Sequence, residues 1–363
     1  MPSTPIEVAE KTRIKRRPTI EDLADAAGVS VATVDRVLNK RHPVREDTAR
    51  RVVEAAERIG FYAHGLLQQR LDERIPFRTF AFLLQKRNDY FYQQLGAELA
   101  AATKATITVR GKPVIEFMDE LVPSMIADRL RQAGASADAV AVVAVEHPHV
   151  NAAIEELQRQ GVPVFTLLTD VTTPARAGYL GLDGRKTGRT AAWTITRLAK
   201  APGKIGILVG SHRYLGQELA EISFRTYLRE HAPDFRPLEP LVNLDDSRIA
   251  YEASMDLIGA NPDLVGIYMA GGGMAGMIKA LREEASERRG QNQGRHILAV
   301  CNELIPETRT ALIDGVIDMV IATPAGALAR RTVAAMIDAL AGPLDESVRQ
   351  IQLPAELYIS ENV

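Results

Sequence analysis

Cysteine is nearly absent: the 363-residue chain has one, Cys301. That excludes internal disulfides and a zinc-finger ligand set. Long hydrophobic runs are missing too, since no apolar stretch approaches the roughly 20 residues needed to cross a bilayer. The first residues, MPSTPIEVAEKTRIKRRP, lack the apolar block of a signal peptide. Together these absences fit a reducing cytoplasm. No G-x-S-x-G elbow occurs, so Ser211-His212 does not make an acyl-transfer site. His147, Pro148 and His149 have too few ligand-type neighbours to hold a metal, and Cys301 reads as a core thiol. No catalytic residue, metal or cofactor is expected. A strong charge imbalance is lacking as well, the net charge being -2. That balance hides an asymmetry: the first 74 residues sum to +2 and the rest to -4. Lys11, Arg13, Lys15, Arg16 and Arg17 precede Pro18, against Glu7 and Glu10, which is a footprint that phosphates favour.

What is present begins with TIEDLADAAGVSVATVDRVLN, Thr19 to Asn39. Thr19 is an N-cap and, with Asp22, approximates a capping box. Ile20, Leu23, Ala24 and Ala27 give one apolar stripe at helical spacing. Gly28 ends this helix in the left-handed conformation that glycine adopts cheaply. Ser30 caps a second helix whose inner face is Val34, Val37 and Leu38. The small Ala24 and Gly28 let two helices cross closely, at about 90–120°, as in a helix-turn-helix. The outer face keeps Val31, Ala32, Asp35 and Arg36, with Asn39 just beyond. This short surface with one long donor suits the floor of a DNA major groove. A third helix over Glu46 to Ile59 follows, with Val52, Val53, Ala56 and Ile59 inward and Gly60 at its end. Residues 1–17 are expected to be a disordered basic arm and 18–60 a small helical headpiece. Residues 61–76, FYAHGLLQQRLDERIP, form a linker whose Leu66, Leu67 and Leu71 have nothing nearby in sequence to bury them.

From Phe77 onward, apolar strand-like runs (TFAFLLQ, AVAVVAV, VPVFTLL, KIGILVG, LVGIYMA, HILAVCNE, MVIAT) alternate with amphipathic helices. That alternation predicts parallel sheets wound on both faces, too many strands for one sheet, and therefore two lobes. Lobe 1 is expected over about residues 77–183 with 324–345, and lobe 2 over about 184–323 with the C-terminal strand. A ligand is expected between the lobes, outside the carboxyl ends of the strands. The loop Arg87-Asn88-Asp89-Tyr90-Phe91-Tyr92 sets an acid and three aromatics at the end of the first strand, a pairing that suits hydroxyls and the C–H faces of sugars. Asp170, Asp183, Asn302 and Glu303 also follow strands, and each could instead be a helix cap. Gly271-Gly272-Gly273-Met274-Ala275-Gly276 satisfies G-x-G-x-x-G but lies late in the chain. Its plainer reading is a loop that lets backbone approach a ligand or turn tightly.

RPTIEDLADAAGVSVATVDRVLN followed by VREDTARRVVEAAERIGF resembles the headpiece of the lactose-repressor family, and the order of elements matches from about residue 18 onward. The resemblance implies an α/β protein: a small all-α helix-turn-helix headpiece, a hinge helix, and a two-lobed periplasmic-binding-protein-like (type I) domain with doubly wound parallel sheets. It implies phosphate contacts from Thr19, Ser30 and Thr33. Val31 and Ala32 fall at positions that choose operator sequence, Arg36 at a base-reading arginine and Asn39 at a backbone contact. Asp35 departs from a usual small Ser. The hinge departs more, lacking its Pro and Asn, and Arg70 falls where the groove-wedging leucine is expected; either the helix shifts by one residue, or Leu67 or Leu71 does the wedging, of which Leu71 is preferred. Asp89-Tyr90-Phe91-Tyr92 is similar to an Asn-Pro-Phe-Phe of the sugar binders, and Glu303 stands at their strand-end Asp. Ala220 replaces a ligand-gripping arginine and Thr323 a Gln. The effector-binding set expected is Gln85, Asp89, Phe91, Tyr92, Asp170, Tyr214, Gly271, Asn302 and Glu303. The implied protein is a cytoplasmic homodimeric repressor, with a tetramer left open, that binds operator DNA under control of a sugar or polyol. The rival readings at this point are a nucleotide-binding protein or enzyme with an appended headpiece, and a transport solute-binding protein.

Overall fold

The N-cap at Thr19 forms as its sequence suggests: the Asp22 amide donates to Thr19 Oγ1 and the Thr19 amide donates to Asp22 Oδ2 at 2.7 Å. It opens α1 (Ile20–Ala27), followed by α2 (Val31–Asn39) and α3 (Glu46–Ile59). The computed structural model describes residues 17–39, 44–67, 75–120, 122–290, 296–342 and 349–363. The chain divides into two units, Met1–Pro76 with Ile107–Val109, and the remainder.

In the first unit, Leu23, Ala24, Ala27, Val34, Val37, Val52, Val53 and Ala56 form one buried core. Both α1 and α3 end in the same way. Gly28 and Gly60 take φ of 65° and 66°, and the next amide, of Val29 or Phe61, turns back to the carbonyl of Ala24 or Ala56. This double closure satisfies carbonyls that a helix end otherwise orphans. It also throws Phe61 back onto the core. The sequence left the linker leucines without a burial site, and that expectation fails for one of them. Leu67 is fully buried beside Phe61, while Leu66 is exposed. The headpiece core therefore runs past residue 60, to Leu67. Two arginines of α3 complete the end of α1: Arg51 donates to the carbonyls of Ala27 and Gly28, and Arg58 to that of Ala26.

The second unit contains two sheets. The first is ordered β12-β5-β4-β3-β1-β2, namely Arg349–Leu353, Gly178–Leu182, Val164–Leu167, Ala139–Val142, Phe77–Gln85 and Arg110–Met118. Every pairing in it is parallel. Pro113 has no amide hydrogen to give a second neighbour, consistent with β2 at the edge. The second sheet is β13-β11-β10-β9-β6-β7, namely Glu356–Tyr358, Met319–Ala322, Leu298–Asn302, Leu264–Met269, Lys204–Val209 and Arg236–Pro237, with β8 (Leu241–Val242) also on β6. Only β13 runs antiparallel there among the described strands.

The helices that wrap these sheets are α4 (Tyr90–Lys104), α5 (Pro123–Gly134), α6 (Pro148–Arg159), α7 (Gly184–Leu198), α8 (Leu215–His231), α9 (Ser247–Ala260), α10 (Met274–Gly290), α11 (Pro306–Ile313) and α12 (Ala325–Ala341). The chain passes between the lobes three times: after Leu182, after Ala322 and at Pro354. The last passage corrects an expectation. The single C-terminal strand assigned to lobe 2 is two strands, because Pro354 ends β12 on the first sheet and β13 then joins the second. In each sheet the order reverses beside the first strand of its lobe, β1 or β6. Such a switch point opens a crevice at the carboxyl ends of the strands.

Glycine 188 sets how closely α7 and α8 pack, since a Cβ there would lie 1.9 Å from the Ala220 carbonyl oxygen. Gly188→Ala is expected to cost at least about 2 kcal/mol, because backbone cannot yield as a side chain can. Chemical unfolding of the full chain measures it; an unchanged midpoint would refute the tight crossing.

Candidate functional site

Two surfaces bear on function, one in each unit. On the headpiece, Val31 is 46% exposed and Ala32 and Arg36 are also exposed, leaving an outward patch on α2. Ser30 caps that helix: its Oγ accepts from the Thr33 amide at 3.2 Å and lies 2.9 Å from Thr33 Oγ1. Asn39 donates its side-chain amide to Asp35 at 2.6 Å, so the carboxylate that breaks the family pattern is held by its own helix neighbour. Thr19 sits at the start of α1, its hydroxyl turned to Asp22. Leu71, the expected groove wedge, lies outside the described residues.

In the second unit a cleft of about 950 Å³, open solvent included, is lined from both sheets. Seven of the nine expected effector residues line it: Asp89, Phe91, Tyr92, Tyr214, Gly271, Asn302 and Glu303. Asp89 does two things at once. Its Oδ1 accepts the amides of Phe91 and Tyr92 and caps α4, and its carboxylate borders the cleft. The rings of Phe91 and Tyr92 meet edge to face, with centroids 5.4 Å apart. Asp183, by contrast, is the cap of α7.

Two of the nine are placed elsewhere. Asp170 does not line the cleft; Arg176 pairs with it at 2.6 Å, and Thr166, Val171 and Gln350 also donate to it. The strand-end position was right, but a neighbouring arginine that is mostly buried captured the acid. Gln85 is fully buried behind the cleft. Its Nε2 donates to the Val143 carbonyl, and its Oε1 accepts the Tyr214 hydroxyl at 2.8 Å. Tyr214 comes from lobe 2 yet packs within the lobe 1 core. Burial pushes its hydroxyl pKa well up, keeping it a donor.

Further contacts join the lobes beside this one. Lys86, just past β1, donates its ammonium to the carbonyls of Leu244 at 3.0 Å and Asp245 at 2.7 Å. The Glu146 amide donates to the Arg213 carbonyl. The Gly216 amide reaches Thr169 Oγ1 at 3.4 Å.

The sequence profile of the periplasmic binding protein domain matches residues 80–344. The chain belongs to that family. A second profile, bacterial regulatory proteins of the lacI family, matches residues 19–63, which are the helix-turn-helix headpiece. Neither profile is that of an enzyme. Among curated relatives, the HTH-type transcriptional regulator MalR of Streptomyces coelicolor is 28% identical over 203 residues, 54% of this chain and 55% of that protein. The ribose operon repressor of Bacillus subtilis is 42% identical over 82 residues, 22% of this chain and 24% of its own length. The aligned regions thus span from about a quarter to about half of these relatives. Among solved structures, the glucose-galactose binding protein GanP of Geobacillus stearothermophilus superposes with a TM-score of 0.69 at 18% identity, covering 79% of this chain and 98% of that one. A solute binding protein of Agrobacterium vitis bound with α-D-tagatopyranose gives 0.70 at 18%, covering 78% and 95%. These likenesses establish the fold.

Within the periplasmic binding protein domain, several cleft residues were passed over in reading the sequence. Lys86, Thr169, Gln217 and Asp245 are the main ones. A usable signal existed for Asp245, because it too follows a strand end. Another feature is visible only in the backbone. Lys86, Leu168, Leu244, Asp245 and Glu303 have positive φ, between 41° and 64°, and all follow strands. Four of the five line the cleft. This left-handed geometry is uncommon for residues with a Cβ and costs of order 1 kcal/mol or more each. It turns strand ends sharply, so that side chain and carbonyl both reach the crevice. The glycine loop serves the same place. The Gly272 amide donates to Asp245 Oδ1, and a Cβ on Gly271 would lie 2.7 Å from that oxygen. Gly276 instead admits the Ser247 carbonyl, where α10 packs on α9. These glycines make room for an aspartate and a helix.

Glu303 bridges to Thr323: its oxygens accept the Thr323 amide at 3.0 Å and hydroxyl at 2.7 Å. Loss of solvation still pushes its carboxyl up to about 7, with Asp89 adding to the rise and the Thr323 bonds opposing it. A carboxyl whose folded pKa exceeds its ordinary 4.5 favours the folded state while protonated. That contribution is present at low pH and is lost as pH climbs between those two values. Glu303→Gln, free of this loss, is expected to melt near the parent at pH 5 and above it at pH 8, without ligand. Parallel melting curves across that range would rule out the raised pKa.

Proposed function

We propose that the protein is a transcriptional repressor whose operator affinity is controlled by a small hydroxylated ligand, a sugar or polyol, bound between the lobes of its periplasmic binding protein domain. The observation that carries this reading is the union on one chain of a lacI-type headpiece with an interlobe cleft lined by carboxylates and aromatic rings. The relatives support it: a ribose operon repressor is among them, and a solute binding protein with a sugar bound shares the fold. In this proposal α2 lies in the major groove. Val31, Ala32 and Arg36 meet base edges, and Thr19, Ser30, Thr33 and Asn39 meet the backbone. Asp35, held by Asn39, accepts from a cytosine amino group. A cytoplasmic homodimer places two such helices in successive grooves of a near-palindromic operator.

Control follows from the cleft. A ligand that binds the closed lobes better than the open ones shifts that equilibrium by its difference in affinity and by no more. The ties from Lys86, Tyr214 and Gly216 belong to the closed arrangement and would part when the lobes separate.

The headpiece assignment is tested with an operator selected from random duplexes in vitro. Arg36→Ala is expected to lose at least about tenfold in preference over a shuffled duplex, in line with about 1–3 kcal/mol for a bidentate base contact. Its ligand-induced thermal shift should match the parent's. Retained preference would remove Arg36 from base reading. A lost thermal shift would break the division of labour between the units.

A further inference from the structure

The charged side chains that line the cleft are three acids, Asp89, Asp245 and Glu303, and a single base, Lys86, among the described residues. Two of its three ammonium donors go to backbone carbonyls across the lobes, and its single charge, which acts on Asp245, offsets only one of the three acids. At the position where a ligand-gripping arginine is expected stands Ala220, which lines the cleft and offers no donor. The cleft therefore has an excess of negative charge and an excess of acceptors.

The hydrogen-bond inventory sharpens this. A carboxylate has about four lone-pair sites. Asp89 accepts two backbone amides, Asp245 the Gly272 amide and a hydrogen bond from the Gln217 side chain, and Glu303 the two donors of Thr323. Each keeps capacity to accept more. Asn302 donates to the Ala270 carbonyl at 2.7 Å, yet its Oδ1 is buried and has no partner. An orphaned buried acceptor is costly, so a donor from the ligand is wanted there. Asp89 lies near enough to both Asp245 and Glu303 to push their carboxyls upward, on top of the larger effect of burial. The described residues hold no group of three acids placed to share one metal ion. A ligand ammonium, with three donors and one positive charge, relieves this repulsion without requiring an acid to take up a proton.

We infer that the cleft selects a hydroxylated ligand carrying a protonated amine, such as an amino sugar or amino polyol, and rejects anionic sugars. This deepens the proposed function and rests on that reading of the cleft.

Calorimetry on the full chain at pH 7.5 tests it with matched pairs: D-glucosamine against D-glucose, D-galactosamine against D-galactose, and 1-amino-1-deoxy-D-glucitol against D-glucitol. In at least one pair the amine is expected to bind about tenfold tighter or more, equivalent to about 1.4 kcal/mol. Asp89→Asn keeps the helix cap, because Asn caps as well as Asp, and should erase most of the difference between amine and neutral partner within that pair. Should that variant unfold, Glu303→Gln supplies the same readout. Neutral sugars that equal or beat the amines in every pair overturn the inference. If such a sugar also releases operator DNA, the proposed function survives without it. If nothing in the panel binds and DNA affinity never changes, the inference and the sugar-controlled reading fall together.

Discussion

Lys86 carries the constraint on which the arrangement of the second unit depends. It stands just past the end of β1 with φ of 41°, and its ammonium bridges to the carbonyls of Leu244 and Asp245 in the other lobe. Those two residues are left-handed as well. Three uncommon backbone conformations thus meet at one ion–dipole contact. A lysine drawn among carboxylates would ordinarily pair with one of them; here its donors go to backbone, which leaves the carboxylates to the cleft. The consequence runs both ways. The lobes are tied, and the acids beside the tie remain under-neutralised.

The cleft is built by layers of small accommodations around that tie. Gly210, Gly271 and Gly272 leave the space that Asp245 fills, where a Cβ would stand 2.0, 2.7 and 2.9 Å from its atoms. Gln217 accepts the Gly210 amide at 2.7 Å and closes the same corner. On the opposite side, Gln85 is held at full burial by Val143 and Tyr214, so a polar residue inside lobe 1 becomes an anchor for a tyrosine of lobe 2. Glu303 and Thr323 finish the wall where the chain crosses back to lobe 1. Groups from separate strand ends converge because a parallel sheet brings all its carboxyl ends to one edge. In the headpiece the corresponding economy is local: a glycine after α1 and another after α3, each with a back-turned amide, shape a core barely larger than its three helices.

Much of this was legible in the sequence, for reasons that differ by residue. The caps at Thr19 and Ser30, and the glycine stops at 28 and 60, are short-range devices, and short-range devices leave signatures a few residues long. The alternation of apolar strands and helices specified two wound sheets. Strand-end polar residues pointed to Glu303 and Asn302. The same rule misled at Asp170, because Arg176, six residues on, claims the acid, and nothing in the local pattern ranks an arginine above an effector. It also passed over Lys86 and Asp245, whose meeting spans more than 150 residues. Leu67 looked stranded in a linker because its partner Phe61 reaches the core only after Gly60 reverses the chain. The C-terminal segment looked like one strand because periodicity says nothing about which sheet a strand will join, and Pro354 sends its two halves to different ones.

By itself, the sequence determined the helix-turn-helix headpiece, the two-lobed parallel architecture, the absence of disulfides and the edge at which a ligand would be found. Each of these follows from capping, periodicity or composition, which act within about one element's length. Only the tertiary structure decided which acids face the cleft and which are consumed by neighbours, that a lysine joins the lobes through carbonyls, and that a buried Asn302 oxygen waits without a donor. Those outcomes turn on distances between residues far apart in the chain, and on which of several competing partners the packed sheets bring within hydrogen-bonding range. No local pattern encodes that competition; it is settled when the two sheets meet.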